Sequence, residues 1–210
     1  MSVATVATAR LLSLGLAPPD RESLAEMGAL ALGLLEHEDP APELTELVAL
    51  LASDGEALAS EHEALFGRQA AVPPYETSYE RDPFRSGREL ADVAGFYRAF
   101  GAEPAGDRAD HVAAELEFFA FLVAKRLSAG DPDHELTCLA AEDAFLRDHL
   151  GRFLPGLCAR LGETASPLYS CLGRLGARFA AEELAGRGLE PAPLGTGAAA
   201  PVEDDALACG

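Results

Sequence analysis

Val112-Ala113-Ala114-Glu115-Leu116-Glu117-Phe118-Phe119-Ala120-Phe121-Leu122-Val123 is the stretch whose reading decides the fold. Val112, Leu116, Phe119 and Val123 recur at helical spacing, and Leu127 continues the stripe. Phe118, Phe121 and Leu122 widen it until little of the helix can face water. The spacing predicts a central buried helix over about 109–128, opening at Asp110-His111 and ending before Gly130 and Pro132.

Working outward, the same 3.6-residue period fills almost the whole chain. Leu and Ala dominate, Ile is absent, and alternating β-branched runs are nearly missing, so the expectation is all-α. Upstream, helices are predicted over about 3–14, from the Asp20 cap to the break at Pro40 and Pro42, over 43–52 and over 56–66. Residues 67–88 read as a long ordered loop carrying Pro73-Pro74, Tyr75, Tyr79 and Phe84. Helix resumes over about 88–100, and Gly101 to Asp107, with Pro104 and Gly106, reads as a hinge. Downstream, helices are expected over 134–150, 152–161, with Pro155 in a first turn, and 166–184. The expected architecture is one helical-bundle domain over 1–185, two lobes joined by a hinge at about 101–109. A disordered Gly/Pro/Ala-rich tail would follow over 186–210.

Composition narrows the function. The 210 residues carry 16 basic and 35 acidic side chains, a formal net charge of −19, and Lys125 is the single lysine. Nucleic acid and anionic membrane surfaces both call for a basic face, so the charge argues against both as partners. A cationic protein segment suits the field, although the charge also serves solubility alone. No apolar run is long enough for a membrane span and no signal-peptide pattern is present, so a cytoplasmic protein is expected. Cys138, Cys158, Cys171 and Cys209 have no metal-ligand spacing and read as small buried residues or, for Cys209, a terminal thiol.

Catalytic frameworks are missing. There is no phosphate loop, no dinucleotide fingerprint, no nucleophile elbow and no Glu-x-x-His pair for a di-metal bundle. His37, His62, His111, His134 and His149 are scattered. Asp110 and His111 at a helix entrance, with Glu115 one turn on, are the most suggestive polar cluster. By spacing alone they read more readily as ordinary helix-start residues. Tyr75, Tyr79 and Phe84 either pin their loop to the core or line a groove, which Glu76, Glu80 and Asp82 would make acidic.

Four segments in fixed order resemble the TorD/DmsD/NarJ family of redox-enzyme maturation chaperones. They are Glu63-Ala64-Leu65-Phe66 with Pro73-Pro74-Tyr75-Glu76-Thr77-Ser78-Tyr79; Asp92 through Gly101; Arg108-Ala109-Asp110-His111 through Leu122; and Phe145-Leu146-Arg147-Asp148-His149-Leu150-Gly151-Arg152-Phe153-Leu154-Pro155. Asp110-His111 matches the end of the family's Glu-Pro-x-Asp-His hinge motif. Asp107-Arg108 stands in place of Glu-Pro, and Phe153 in place of a Trp.

The resemblance implies an all-helical, cofactor-free cytoplasmic chaperone. Its partner would be the molybdopterin-containing catalytic subunit of a reductase or dehydrogenase, or that subunit's twin-arginine signal peptide, bound during cofactor insertion and before export. The implied client-binding set is Tyr75, Glu76, Tyr79, Phe84, Asp110, His111 and Glu115, with the carboxylates meeting arginines and the aromatic residues an apolar stretch. The protein would be a monomer or a dimer that exchanges helices through the hinge. Two other readings are a helical metal-dependent enzyme using His62, His111 and His149, and a structural subunit retained in a reductase complex.

Overall fold

The structure is a computed structural model that describes residues 3–51, 55–80, 82–104, 106 and 108–194. Among these residues are nine α-helices: α1 (Val3–Leu16), α2 (Arg21–Leu35), α3 (Glu43–Leu50), α4 (Gly55–Phe66), α5 (Pro83–Ala99), α6 (Val112–Leu127), α7 (Pro132–Phe145), α8 (Gly151–Gly162) and α9 (Pro167–Arg187). A 3-10 turn spans Glu76–Ser78, and a π-helical turn, Leu146–Leu150, joins α7 to α8 without a break. The described residues contain no β-strand.

The helix starts follow from local chemistry. Asp20, Asp82, Asp131 and Ser166 each stand in extended backbone and accept an amide hydrogen from the first turn of α2, α5, α7 and α9. At three of these starts a proline follows the cap, where its missing N–H costs nothing. The C-terminal end of α9 closes on Gly188 at φ 63°, a left-handed position that suits glycine.

Helix α1 packs against α2, α6 and α9, and buries Leu11, Leu12, Leu14 and Leu16. Helix α6 packs between α1 and α7, burying Val112, Leu116, Phe118, Phe119, Leu122 and Val123. Helices α8 and α9 approach closely because α9 offers glycine there. A Cβ on Gly173 would lie 2.8 Å from the Cys158 carbonyl oxygen, and one on Gly176 would lie 2.6 Å from the Cys158 sulfur. Cys138, Cys158 and Cys171 are buried free thiols. No helix among the described residues is long and apolar enough to cross a membrane.

Several boundaries differ from the sequence expectation. Helix α5 starts at Pro83 and not near 88, because Asp82 caps it. Helix α6 starts at Val112 and not near 109, because His111 is its cap. Pro155 lies inside α8, not in a first turn, since the π turn keeps the chain helical through 151. Phe121 and Leu127 stay partly exposed. Of the segment expected as a tail, residues 186 and 187 complete α9. The Ala192 amide then donates to the Arg147 carbonyl at 2.9 Å; residues 195–210 lie outside the described set.

Candidate functional site

The loop after α4 and the entrance to α6 are joined by backbone. Val112 N donates to Pro74 O at 2.8 Å and Glu76 N donates to Asp110 O at 2.9 Å, an isolated antiparallel bridge between Tyr75 and His111. These two bonds bring the Tyr75-to-Tyr79 segment and the Asp110-His111 pair together, although more than thirty residues separate them in the chain. The Tyr75 and His111 rings meet edge to face, with centroids 5.3 Å apart.

Beside this bridge is a cleft of about 530 Å³. Tyr75, Arg108, His111, Leu14 and Pro18 line it, with Glu117 of α6 and Arg10 of α1. The Arg108 guanidinium lies over the Tyr75 ring, 4.2 Å from its centroid, and donates to Asp110 Oδ2 at 2.6 Å. His111 uses Nδ1 to accept the Ala113 amide at 3.1 Å, capping α6 with the ring itself. Burial pushes the His111 pKa down, helped by His62 nearby, so the neutral, capping form is favoured.

Beneath the bridge lies a buried ion network. Arg152 of α8 donates to Glu89 at 2.7 Å, Glu76 at 3.2 Å and Glu80 at 3.3 Å, and also to the carbonyls of Asp148 and Pro193. His149, on the π turn, lies 3.1 Å from Glu76 through Nδ1 and 3.1 Å from Asp92 through Nε2. Burial pulls the His149 pKa down, but Glu76 and Asp92 outweigh it, and the net direction is up. The 3-10 turn, α5 and the α7–α8 junction are thus fastened by one set of charges.

Glu115 is the outlier. It is fully buried, and neither carboxylate oxygen has a hydrogen-bond partner. Burial, then the fields of Glu76 and Asp110, push its pKa well above the usual range, so it is held as the neutral acid.

Of the seven residues singled out by sequence, Tyr75 and His111 line the cleft. Glu76, Asp110 and Glu115 lie under it, buried, the first two engaged with Arg152, His149, Arg108 and Thr77. Tyr79 packs on Phe153 and donates to the Pro73 carbonyl at 3.1 Å. Phe84 stands apart on the first turn of α5, 90% exposed. Glu80 is buried too, so the groove acidity expected from Glu76 and Glu80 is turned inward.

Arg152, Glu89 and Arg10 were missed by sequence reasoning. A signal existed for Arg152: an arginine three residues after His149, beside the apolar run Phe153-Leu154 that must bury one face. The metal-enzyme alternative finds one candidate cluster among the described residues, Glu76, Glu89 and His149. The Arg152 guanidinium already bridges its two carboxylates, so a cation there would meet a resident positive charge. This cluster does not include His62 or His111.

The fold is shared with a solved structure described as a putative redox enzyme maturation protein from Archaeoglobus fulgidus. Its TM-score is 0.57 at 22% identity, covering 83% of this chain and 92% of that one. No curated protein matches the sequence. The profile of the family described as nitrate reductase delta subunit matches residues 35–159, more than half of the chain and all of the bridge and its ion network except the Pro193 contact. The chain therefore belongs to the nitrate reductase delta subunit family, within the TorD/DmsD/NarJ redox-enzyme maturation chaperones.

Proposed function

We propose that this protein is a cytoplasmic, non-catalytic chaperone dedicated to one molybdoenzyme of the nitrate reductase type. It holds the catalytic subunit, through an N-terminal or signal segment, until molybdopterin is inserted. The observation that carries this reading is the cleft at the Tyr75–His111 bridge; the bridge lies within the family's matched region, while Arg10, Leu14 and Pro18 on the same cleft lie before it. Its apolar lining, which includes Leu14, Ala17, Pro18, Ala113 and Ala114, suits the apolar part of such a segment.

Binding here needs no covalent step. Tyr75 and His111 contact the client, while Glu76, Asp110 and Glu115 act from below by shaping the wall that carries them. Tyr79 and Phe153 support that wall, and Phe84 offers a separate apolar contact for the client body.

Calorimetric titration with peptides from the amino terminus of a co-encoded molybdoenzyme subunit tests the reading. His111→Ser retains a good helix cap, so the fold should survive while the aromatic wall is lost. Tyr75→Ala and His111→Ser should each weaken binding by about tenfold, on the scale of a lost aromatic anchor. Unchanged affinity in both would remove the cleft from the account.

A further inference from the structure

The cleft at the Tyr75–His111 bridge already holds a guanidinium of its own. Arg108 donates through Nε to Asp110 Oδ1 at 2.9 Å and through Nη2 to Asp110 Oδ2 at 2.6 Å, a two-pronged, charge-assisted pair. The same Nη2 donates to Thr77 Oγ1 at 2.8 Å, and the guanidinium carbon lies 4.2 Å from the centroid of the Tyr75 ring. A carboxylate fork and an aromatic face are the two contacts that an arginine of a bound segment would seek here, and Arg108 uses both.

Little is left at this place for a second cation. Asp110 is fully buried. Its Oδ2 also accepts the Thr77 amide at 3.3 Å and the Thr77 hydroxyl at 2.7 Å, so the carboxylate's acceptor positions are engaged. Glu76 and Glu115, the neighbouring carboxylates, are buried as well. The His111 ring packs on Tyr75 besides the Arg108 guanidinium. The charged residues that line the cleft are Arg10, Arg108 and Glu117, and Arg10 already donates to Glu117 at 2.6 Å. The Arg108 side chain stays 42% exposed, so its charge faces whatever enters. A cation brought to Tyr75 would meet that charge at short range with no free carboxylate beside it.

We propose that Arg108 is a specificity residue of this cleft. It occupies, from within the chain, the guanidinium place formed by Tyr75, Thr77 and Asp110. The segment bound beside it is therefore apolar and carries no arginine or lysine against Tyr75. The net charge of −19 draws cationic segments from a distance, and Arg108 rejects them locally. Arg108 also stands where the resembled hinge motif has proline, a residue with neither charge nor side-chain donor.

The assignment of the occupant to a client segment rests on the chaperone reading; the hold of Arg108 on Tyr75 and Asp110 does not. Two experiments separate them. In the first, Arg108→Ala vacates the place, and methylguanidinium is titrated into the variant and the parent, followed by backbone amide NMR. It should shift Tyr75, Thr77 and His111 saturably in the variant and not in the parent. Methylurea, planar but uncharged, should bind at least about tenfold more weakly.

The second experiment compares two peptides from the amino terminus of a co-encoded molybdoenzyme subunit. They are identical except for two adjacent positions, both arginine in one and both glutamine in the other. At about 0.15 M salt, which screens the general field, the parent should bind the glutamine peptide at least about threefold more tightly. Arg108→Gln, which keeps a donor for Asp110, should reverse that preference; Arg108→Lys, which keeps the charge, should retain it. Melting curves of these variants show whether the fold is kept, and the parent's own preference needs no variant.

A parent that favours the arginine peptide, a preference unchanged in Arg108→Gln, or methylguanidinium binding equally to parent and Arg108→Ala would overturn the proposal. If both peptides bind alike to parent and Arg108→Gln, the proposal fails and the chaperone reading stands. If neither peptide binds the parent, the cleft loses its part in the chaperone reading, while saturable methylguanidinium binding to Arg108→Ala alone would still support Arg108 as the resident cation.

Discussion

The Arg152 guanidinium meets the Glu89 carboxylate at 2.7 Å from a side chain almost wholly removed from solvent. This contact ties α8 to α5, and through Glu76 the same arginine ties both to the loop that carries Tyr75. A buried charge with three partners is more costly to break than to replace as a set.

Arg152→Met should therefore destabilise the protein strongly, by about 3–5 kcal/mol, because Glu76, Glu80 and Glu89 lose their common cation. Chemical denaturation followed by circular dichroism measures this. A loss under about 1 kcal/mol, the size typical of a surface pair, would show that the network does not hold the loop.

His149 makes the same region pH-sensitive. Its folded pKa is raised above the usual 6.5, so its stabilising contribution is complete below that value and is lost as pH rises through the folded pKa. His149→Gln should lower the melting temperature most below pH 6.5 and progressively less above it. A constant difference across pH would mean that the imidazole is not protonated in the folded protein.

Glu115 acts with the opposite sign. An acid whose folded pKa is raised binds its proton more tightly when folded, so stability falls as pH climbs above its usual 4.5. Glu115→Gln should raise the melting temperature at pH 7–8 and flatten that decline, while at pH 4 it changes little. A destabilised variant at pH 8 would show that Glu115 is ionised and paired.

The α8–α9 crossing depends on missing side chains. Gly173→Ala should cost about 1–3 kcal/mol through overpacking against the backbone of α8. Gly28→Ala, where a Cβ meets nothing within 4 Å, should stabilise α2 by about 0.4–1 kcal/mol. Equal effects at both positions would contradict the close crossing.

Much of the fold was legible because Leu/Ala periodicity and capping residues agree along the chain. Helix α6 was readable from its phenylalanines and valines alone. The start of α5 was not read because Pro83-Phe84 looks like loop punctuation. Yet Asp82-Pro83 repeats the cap-then-proline pattern of Asp131-Pro132, which was read as a turn for the same reason.

The site was half legible. Tyr75 and His111 were found as aromatic and polar residues on a loop and at a helix entrance. The destination of the carboxylates was hidden, because spacing along a chain does not reveal a distant partner. Arg152 lies 76 residues from Glu76, and only the folded chain turns Glu76 inward. Phe121 was read as part of a buried apolar helix, yet it stays partly exposed.

The most direct test of the account is capture of the tagged, full-length protein from its native host grown under anaerobic respiration, with mass spectrometry and molybdenum analysis of what is bound. The account predicts a molybdoenzyme catalytic subunit in immature form, without its full complement of cofactor. Recovery of no such subunit, or of the mature cofactor-loaded enzyme in stable association, would contradict it.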